Sequence, residues 1–132
     1  MNRNRTLLPL SLAVVLLVTA CATTASGEAN TRRDLLTREE IMGVSALNLF
    51  DVVQRLRPRW LEVRSERSLG PNARPTEILV FQGQALLGGT AILQQFAPDV
   101  AYEMQWLDAA TAAASLPVGD RRVAGAIVIR TR

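Results

Sequence analysis

The first half of the chain carries a stripe of apolar residues at the spacing of an α-helix. Five of them occupy positions i, i+3, i+4, i+7 and i+10: Ala46, Leu49, Phe50, Val53 and Leu56. Residues at these spacings share one helix face, so the stripe predicts a helix that packs against a sheet. Pro58 lacks an amide hydrogen and restricts the residue before it, which predicts that the helix ends at or just before Arg57.

The start of this helical region has its own signature. Thr37 is followed three residues later by Glu40, the pattern of a capping box, and Ile41 is the first apolar residue after it. Gly43 weakens a helix by about 1 kcal/mol relative to alanine. We therefore expect a break at Gly43, with Ser45 capping the second stretch.

Four segments have the pattern of β-strands. Glu77 to Phe81 is a compact apolar run, too short for a helix and typical of a strand buried on both faces. Val100 to Leu107 alternates large apolar residues with small or polar ones. Its apolar face is expected to hold Val100, Tyr102, Met104 and Trp106. Trp60 to Arg64 predicts a short strand, and Ala124 to Thr131 predicts an apolar, β-branched strand.

Two shorter helices complete the pattern. Thr90 is expected to cap one that runs to Phe96, and Asp108 an alanine-rich one from Ala109 to Ser115. The order predicts a small α+β domain with a mixed sheet of about four strands. One longer N-terminal helix and two short helices are expected to cover one face of that sheet.

A different pattern occupies the N-terminus. Arg3 and Arg5 form a positive stub, and Leu7 to Val18 is an apolar run, shorter than the roughly 20 residues that span a bilayer. Two small residues then precede the single cysteine of the chain, in the tetrapeptide Val18-Thr19-Ala20-Cys21. This arrangement resembles the signal peptide and lipobox of bacterial lipoproteins.

The lipobox resemblance implies a lipid-anchored protein of the cell envelope. In that family the chain is cut before the cysteine, here Cys21, whose sulfur receives a diacylglycerol and whose amino group is acylated by a fatty acid such as palmitate. Ala22 in place of Asp implies the outer membrane, facing the periplasm. Residues 1–20 are then the signal peptide, outside the fold, and residues 21–35, rich in Ala, Thr and Ser, are expected to form a flexible tether.

Five further motifs follow one another along residues 36–132. They are Leu36–Ile41, Leu49–Pro58, Ile78–Gly83, Ala97–Leu107 and Asp108–Arg132. In this order they resemble the plug domain of TonB-dependent outer-membrane receptors, with Gln82 where that family usually has Asp. The last motif includes Gly125, Ile127, Ile129, Thr131 and Arg132. The segment Arg57-Pro58-Arg59-Trp60-Leu61 also resembles a step in small plug-like lipoproteins of unknown function.

The plug resemblance implies a fold and a kind of partner more than an activity. Receptors of that family continue into a barrel of about 22 strands, whereas the sequence given ends at Arg132. We therefore expect no transport by this chain alone. A non-enzymatic domain that contacts another envelope protein, such as a barrel receptor, is the expected role.

Composition narrows the chemistry further. The chain has no His, and all 15 basic residues are Arg, so imidazole nucleophile pairs, imidazole metal ligands and lysine Schiff bases are excluded. Without Arg3 and Arg5, 13 arginines face 12 carboxylates, which gives no basic excess for nucleic acid. Asp99, Glu103 and Asp108 lack the ligand spacing of a calcium loop. We expect no metal and no cofactor.

One surface is a candidate for contact with a partner. Trp60 directly follows Arg57-Pro58-Arg59, and Trp and Arg are enriched at interaction hot spots. The same three residues, Arg57, Arg59 and Trp60, support an alternative function as a small-molecule or glycan-binding module. A third alternative, an enzyme, would have to use carboxylates, Ser or Tyr. The sequence leaves the oligomeric state open.

Overall fold

A five-stranded mixed sheet organises the molecule. The structure, a computed structural model, describes residues 32–63 and 76–132. The helices and strands are β1 (Leu35–Thr37), α1 (Arg38–Gly43), α2 (Leu49–Leu56), β2 (Glu77–Gln82), β3 (Ala85–Gly89), β4 (Glu103–Asp108), α3 (Ala109–Ser115) and β5 (Val123–Arg130). Three 3₁₀ turns lie at Pro58–Leu61, Thr90–Gln95 and Pro98–Val100.

The strand order is β1-β4-β5-β2-β3, with β5 at the centre. β2 and β5 run parallel, with Val80 opposite Ile127, and the other neighbours are antiparallel. The expected α+β class with a mixed sheet is confirmed, although the sheet has five strands and not four.

Side chains from both faces of the sheet are buried, in two separate clusters. Ile78, Val80 and Ile127 join the cluster that packs under α1 and α2. Leu79 and Phe81 join the second cluster, which includes Ala112 of α3. Consecutive residues of β2 therefore face opposite cores, which explains its unbroken apolar sequence. The prediction that helices cover only one face was wrong, because α3 covers the other.

The strand predictions differ from the structure in four places, of which three concern the presence of a strand. Trp60 to Arg64 was expected as a strand, but Pro58–Leu61 forms a 3₁₀ turn that Pro58 begins with its fixed φ; Arg64 lies outside the described residues. β1 has only three residues and forms through pairing with β4, which no local pattern reveals. No strand was predicted for Ala85–Gly89, which forms β3.

Two helix starts agree with the sequence signals and two do not. Thr90 was expected to cap a short helix, but it begins a 3₁₀ turn whose N-cap is Gly89 and which has no side-chain cap hydrogen bond. Thr37 and Glu40 form the expected capping box, and α1 ends at Gly43 as predicted. α2 begins later than expected, because Asn48 caps it in place of Ser45: its Oδ1 accepts from the Asp51 amide at 2.9 Å. Asp108 caps α3 as predicted, with its Oδ1 2.9 Å from the Thr111 amide nitrogen.

The fourth strand is shorter than its alternating pattern. Pro98–Val100 forms a turn, and β4 begins only at Glu103. Val100 and Tyr102 are therefore 42% and 47% exposed, contrary to the prediction that they share the buried face. Met104 and Trp106 do pack against the core, so the alternation holds inside the strand itself.

A glycine on β5 makes room for an indole ring. A Cβ on Gly125 would overlap the ring of Trp106 and would lie 2.8 Å from the carbonyl oxygen of Leu107. Trp106 in turn stacks on Trp60, with ring centroids 6.3 Å apart and planes at 21°. The absence of a side chain at Gly125 therefore sets how the indole pair lies on the sheet.

Substitution of Gly125 tests this packing. We expect Gly125→Ala to lower the free energy of unfolding by about 1–3 kcal/mol, because the new methyl group overpacks a closed site. Urea denaturation measures the change. The matched control is Gly43→Ala, where a Cβ meets no atom within 4 Å and helix propensity improves. A Gly125→Ala protein as stable as the parent would contradict the assignment.

Candidate functional site

Arg57, the residue that follows α2, binds the chain where it enters the domain. Its guanidinium donates to the carbonyl oxygens of Arg32, Arg33 and Leu35 at 3.1–3.2 Å. It also forms an ion pair with Glu40, whose Oε1 is 3.0 Å from Nη2. The side chain is 22% exposed, so solvent screens the pair only in part.

The planar fork of the arginine explains why this residue type is needed. Five N–H groups in fixed directions can satisfy several carbonyl oxygens at once, which an ammonium group cannot do in one plane. Arg57 also donates to the carbonyl oxygen of Leu56, at 3.0 Å. The guanidinium thereby joins the end of α2, the start of α1 and the entering segment.

These contacts move the start of the folded domain. Residues 21–35 were expected as a flexible tether, but Leu35 lies in β1 and Leu36 is fully buried. The carbonyl oxygen of Asp34 also accepts from the Trp106 amide at 2.8 Å. The last residues of the predicted tether, from Arg32 onward, are therefore bound to the domain.

The pKa values of two carboxyl groups near this entry point are shifted in opposite directions. Burial raises the pKa of Asp34, and repulsion from Asp108 adds to that effect, while Arg33 and Arg57 oppose it. Hydrogen bonds from Thr111 hold the pKa of Asp108 below its usual value. The ionised form of Asp34 is therefore disfavoured in the folded protein.

The structure does not form the contact surface predicted from Arg57, Arg59 and Trp60. Trp60 is only 3% exposed and packs in the core against Trp106, so its availability to a partner was predicted wrongly. The physical reason is the 3₁₀ turn, which directs the indole inward. Arg57 is occupied by backbone carbonyls, and Arg59 alone is exposed.

A second surface was missed by the sequence reasoning. At the other end of α2, the loop between α1 and α2 and the Pro98–Val100 turn enclose a shallow groove of about 320 Å³. Its lining residues are Ile41, Met42, Val44, Ser45, Ala46, Pro98 and Asp99. Beside it, Leu47 is 87% exposed and Met42 is 52% exposed. Leu47 lies just before the Asn48 cap, outside the stripe that predicted the helix, which is the signal that could have identified it.

The described residues contain neither a metal-ligand cluster nor a membrane-spanning helix. Within 32–63 and 76–132, no group of three or more Asp, Glu or Cys side chains could hold a metal ion. No helix in those ranges is long and apolar enough to cross a membrane. The lipobox Val18, Thr19, Ala20 and Cys21 lies outside the part of the chain that the structure describes.

Comparison with protein-family models, with curated proteins and with solved structures finds no significant match for this chain.

Replacing Arg57 tests its role at the entry point. We expect Arg57→Lys to lower the free energy of unfolding by about 1–2 kcal/mol, because lysine cannot satisfy the same set of carbonyl oxygens. Hydrogen exchange of the Trp106 amide, which donates to Asp34, should also accelerate. The control Arg59→Lys, at an exposed neighbouring position, should change stability by less than about 0.5 kcal/mol. Equal effects in both variants would argue against the assignment.

Because the pKa of Asp34 is raised, replacing this residue with Asn should stabilise the protein by an amount that depends on pH. A carboxyl whose pKa is raised on folding stabilises the protein when protonated, and this contribution is lost as pH rises above the unfolded value of 3.8. Asp34→Asn should therefore be more stable than the parent at pH 7, and the difference should vanish well below pH 3.8. Asp108→Ala should show the opposite sign, less stable at pH 7 with a difference that shrinks at low pH. Thermal unfolding across pH measures both; a pH-independent Asp34→Asn effect would contradict the prediction.

Proposed function

We propose that this chain is a lipid-anchored envelope protein whose plug-like, non-enzymatic domain works by binding another protein at the outer membrane. The observation that carries the proposal is the exposed apolar groove at the end of α2 away from the entering segment. Large exposed apolar side chains grouped around a concave surface are typical of contact sites. Among them, Leu47 is 87% exposed.

The anchor is supported by the sequence and by the entry point. Val18-Thr19-Ala20-Cys21 follows an apolar run and a positive stub, which is the order of a lipoprotein signal. Within the described residues, the entering chain is already bound at Arg32, whose carbonyl oxygen accepts from Arg57. A lipid at Cys21 would thus be separated from the folded domain by a short stretch of small and polar residues.

The plug-like fold is supported by where its motifs lie. Three of the five motifs contain β2, β4 and β5. These three strands are neighbours, in the order β4-β5-β2, at the centre of the sheet. The motifs therefore belong to one packed unit, as a domain of that family would require.

The non-enzymatic role is supported by how the carboxylates are used. Glu40 completes a helix cap and pairs with Arg57. Asp108 caps α3, and Glu103 pairs with Arg130 at 2.9 Å. These groups have structural partners, so none of them is poised as a general acid or base. The alternative ligand-binding role loses its main support, because it relied on an accessible Trp60.

Mutation of the lipidation site tests the anchor. We expect the full chain to incorporate labelled palmitate and to fractionate with the envelope, and Cys21→Ser to lose both, since no other cysteine is present. The thermal stability of the domain should stay the same in both proteins, which controls for folding. Label retained in Cys21→Ser, or a parent chain recovered unprocessed from the cytosol, would contradict the anchor.

The same pair of proteins tests the contact role. An affinity tag after Arg132 should retain one specific envelope protein from detergent-solubilised membranes of cells that express the parent chain. Recovery of that protein should fall in Cys21→Ser, because the anchor raises the local concentration of the domain near its partner. No specific protein in any of several detergents would contradict the proposed role.

A further inference from the structure

We infer that the groove between α1, the loop before α2 and the Pro98–Val100 turn binds a basic amphipathic segment of another protein. Apolar side chains of that segment would occupy the groove, and its Arg or Lys residues would face the carboxylates around it. The inference rests on the proposed function, namely that the chain acts by contact, and it names the surface and the chemistry of the partner.

The apolar part of the argument rests on side chains that the fold leaves uncovered. Leu47 is 87% exposed, Met42 is 52% exposed, and Val100 is 42% exposed. Met42 lines the groove, whereas Leu47 and Val100 follow directly after its lining residues. The groove, at about 320 Å³, is at the lower end of the roughly 300–1,000 Å³ of small-molecule pockets. It suits one or two inserted side chains better than a whole cofactor.

The charge around the groove selects the partner. The carboxylate-bearing residue Asp99 lines it, and Glu39 precedes Met42 by three positions on α1, so the two are neighbours on the helix surface. Asp51 lies beside Leu47, whose amide donates to its Oδ2 at 3.2 Å. The cation nearby is Arg38, and its guanidinium is directed to the Asp99 and Ala101 carbonyl oxygens.

Three carboxylate-bearing residues therefore lie in or next to the groove, and Arg38 hydrogen-bonds to backbone carbonyl oxygens beside it. None of the three forms an ion pair with any residue in the two described ranges. An acidic rim attracts basic groups and repels anionic lipid headgroups. A protein segment that carries both apolar and basic residues can contact the apolar side chains and the carboxylates at the same time.

The groove and the entry point of the chain lie at opposite ends of α2. Arg57 binds the carbonyl oxygen of Arg32 after the end of α2. The groove adjoins the opposite end, before Leu49. The eight residues of α2, about 12 Å of helix, separate the two sites. A segment bound in the groove would therefore not overlap the contacts that Arg57 makes.

Site-specific photo-crosslinking in the full, lipidated chain tests the inference. A benzophenone side chain at Leu47 should form an adduct with another protein in intact envelopes. The same probe at Gln54, an exposed position on α2 outside the groove, should not. The crosslinked peptide, identified by mass spectrometry, should combine apolar residues with Arg or Lys.

Charge variants of the chain that carries the probe at Leu47 distinguish a specific, charge-dependent interaction from nonspecific hydrophobic binding. We expect Asp99→Asn together with Glu39→Gln to reduce the adduct at Leu47 about two- to fivefold. Raising the salt concentration should have a similar effect, since it screens exposed charges. Glu62→Gln, an exposed carboxylate beyond the other end of α2, should leave the yield unchanged.

Several results would overturn the inference. One is an adduct formed with lipid, with this chain itself or with an acidic segment. Another is an adduct yield that does not change in the charge variants. A third is an equal yield at Leu47 and Gln54, or no adduct at either position. An adduct at Gln54 alone would refute this surface while leaving the contact role intact. If neither probe reacts and the tagged chain retains no protein, both the inferred binding surface and the proposed contact function are refuted.

Discussion

The fold depends on the burial of both faces of the central parallel pair, β2 and β5. Neighbouring residues such as Leu79 and Val80 are fully buried in different clusters, so neither face can be left to water. This requirement explains why α1 and α2 cover one face while α3 covers the other.

The parts of the fold that depend on near neighbours were predictable. The Thr37 capping box, the Asp108 cap and the two-sided burial of β2 all follow from patterns within a few residues. The parts that depend on distant pairing were not. β1 is a strand because β4 lies beside it, and Trp60 is buried because a 3₁₀ turn places it on Trp106, far along the sequence.

The same distinction between local sequence patterns and distant contacts applies to the candidate site. The sequence placed Arg57 and Trp60 together on a surface, because Arg and Trp next to each other are typical of contact sites. Only the fold reveals that the guanidinium of Arg57 is taken by backbone carbonyls of the entering chain. Conversely, Leu47 was expected inside the helix that Ser45 would cap, and its 87% exposure follows from the late start of α2 at the Asn48 cap. The two ends of α2 thus have different surroundings. Arg57, after its last residue, binds the entering chain, whereas the side chains before its first residue are exposed.

The stacked indoles have a consequence for spectroscopy. Trp60 and Trp106 are the two tryptophans of the chain, and they form a single pair next to the segment that Arg57 holds. Emission from the indoles therefore reports on the packing next to the place where the polypeptide enters the domain. Unfolding of that region can be followed without an added dye.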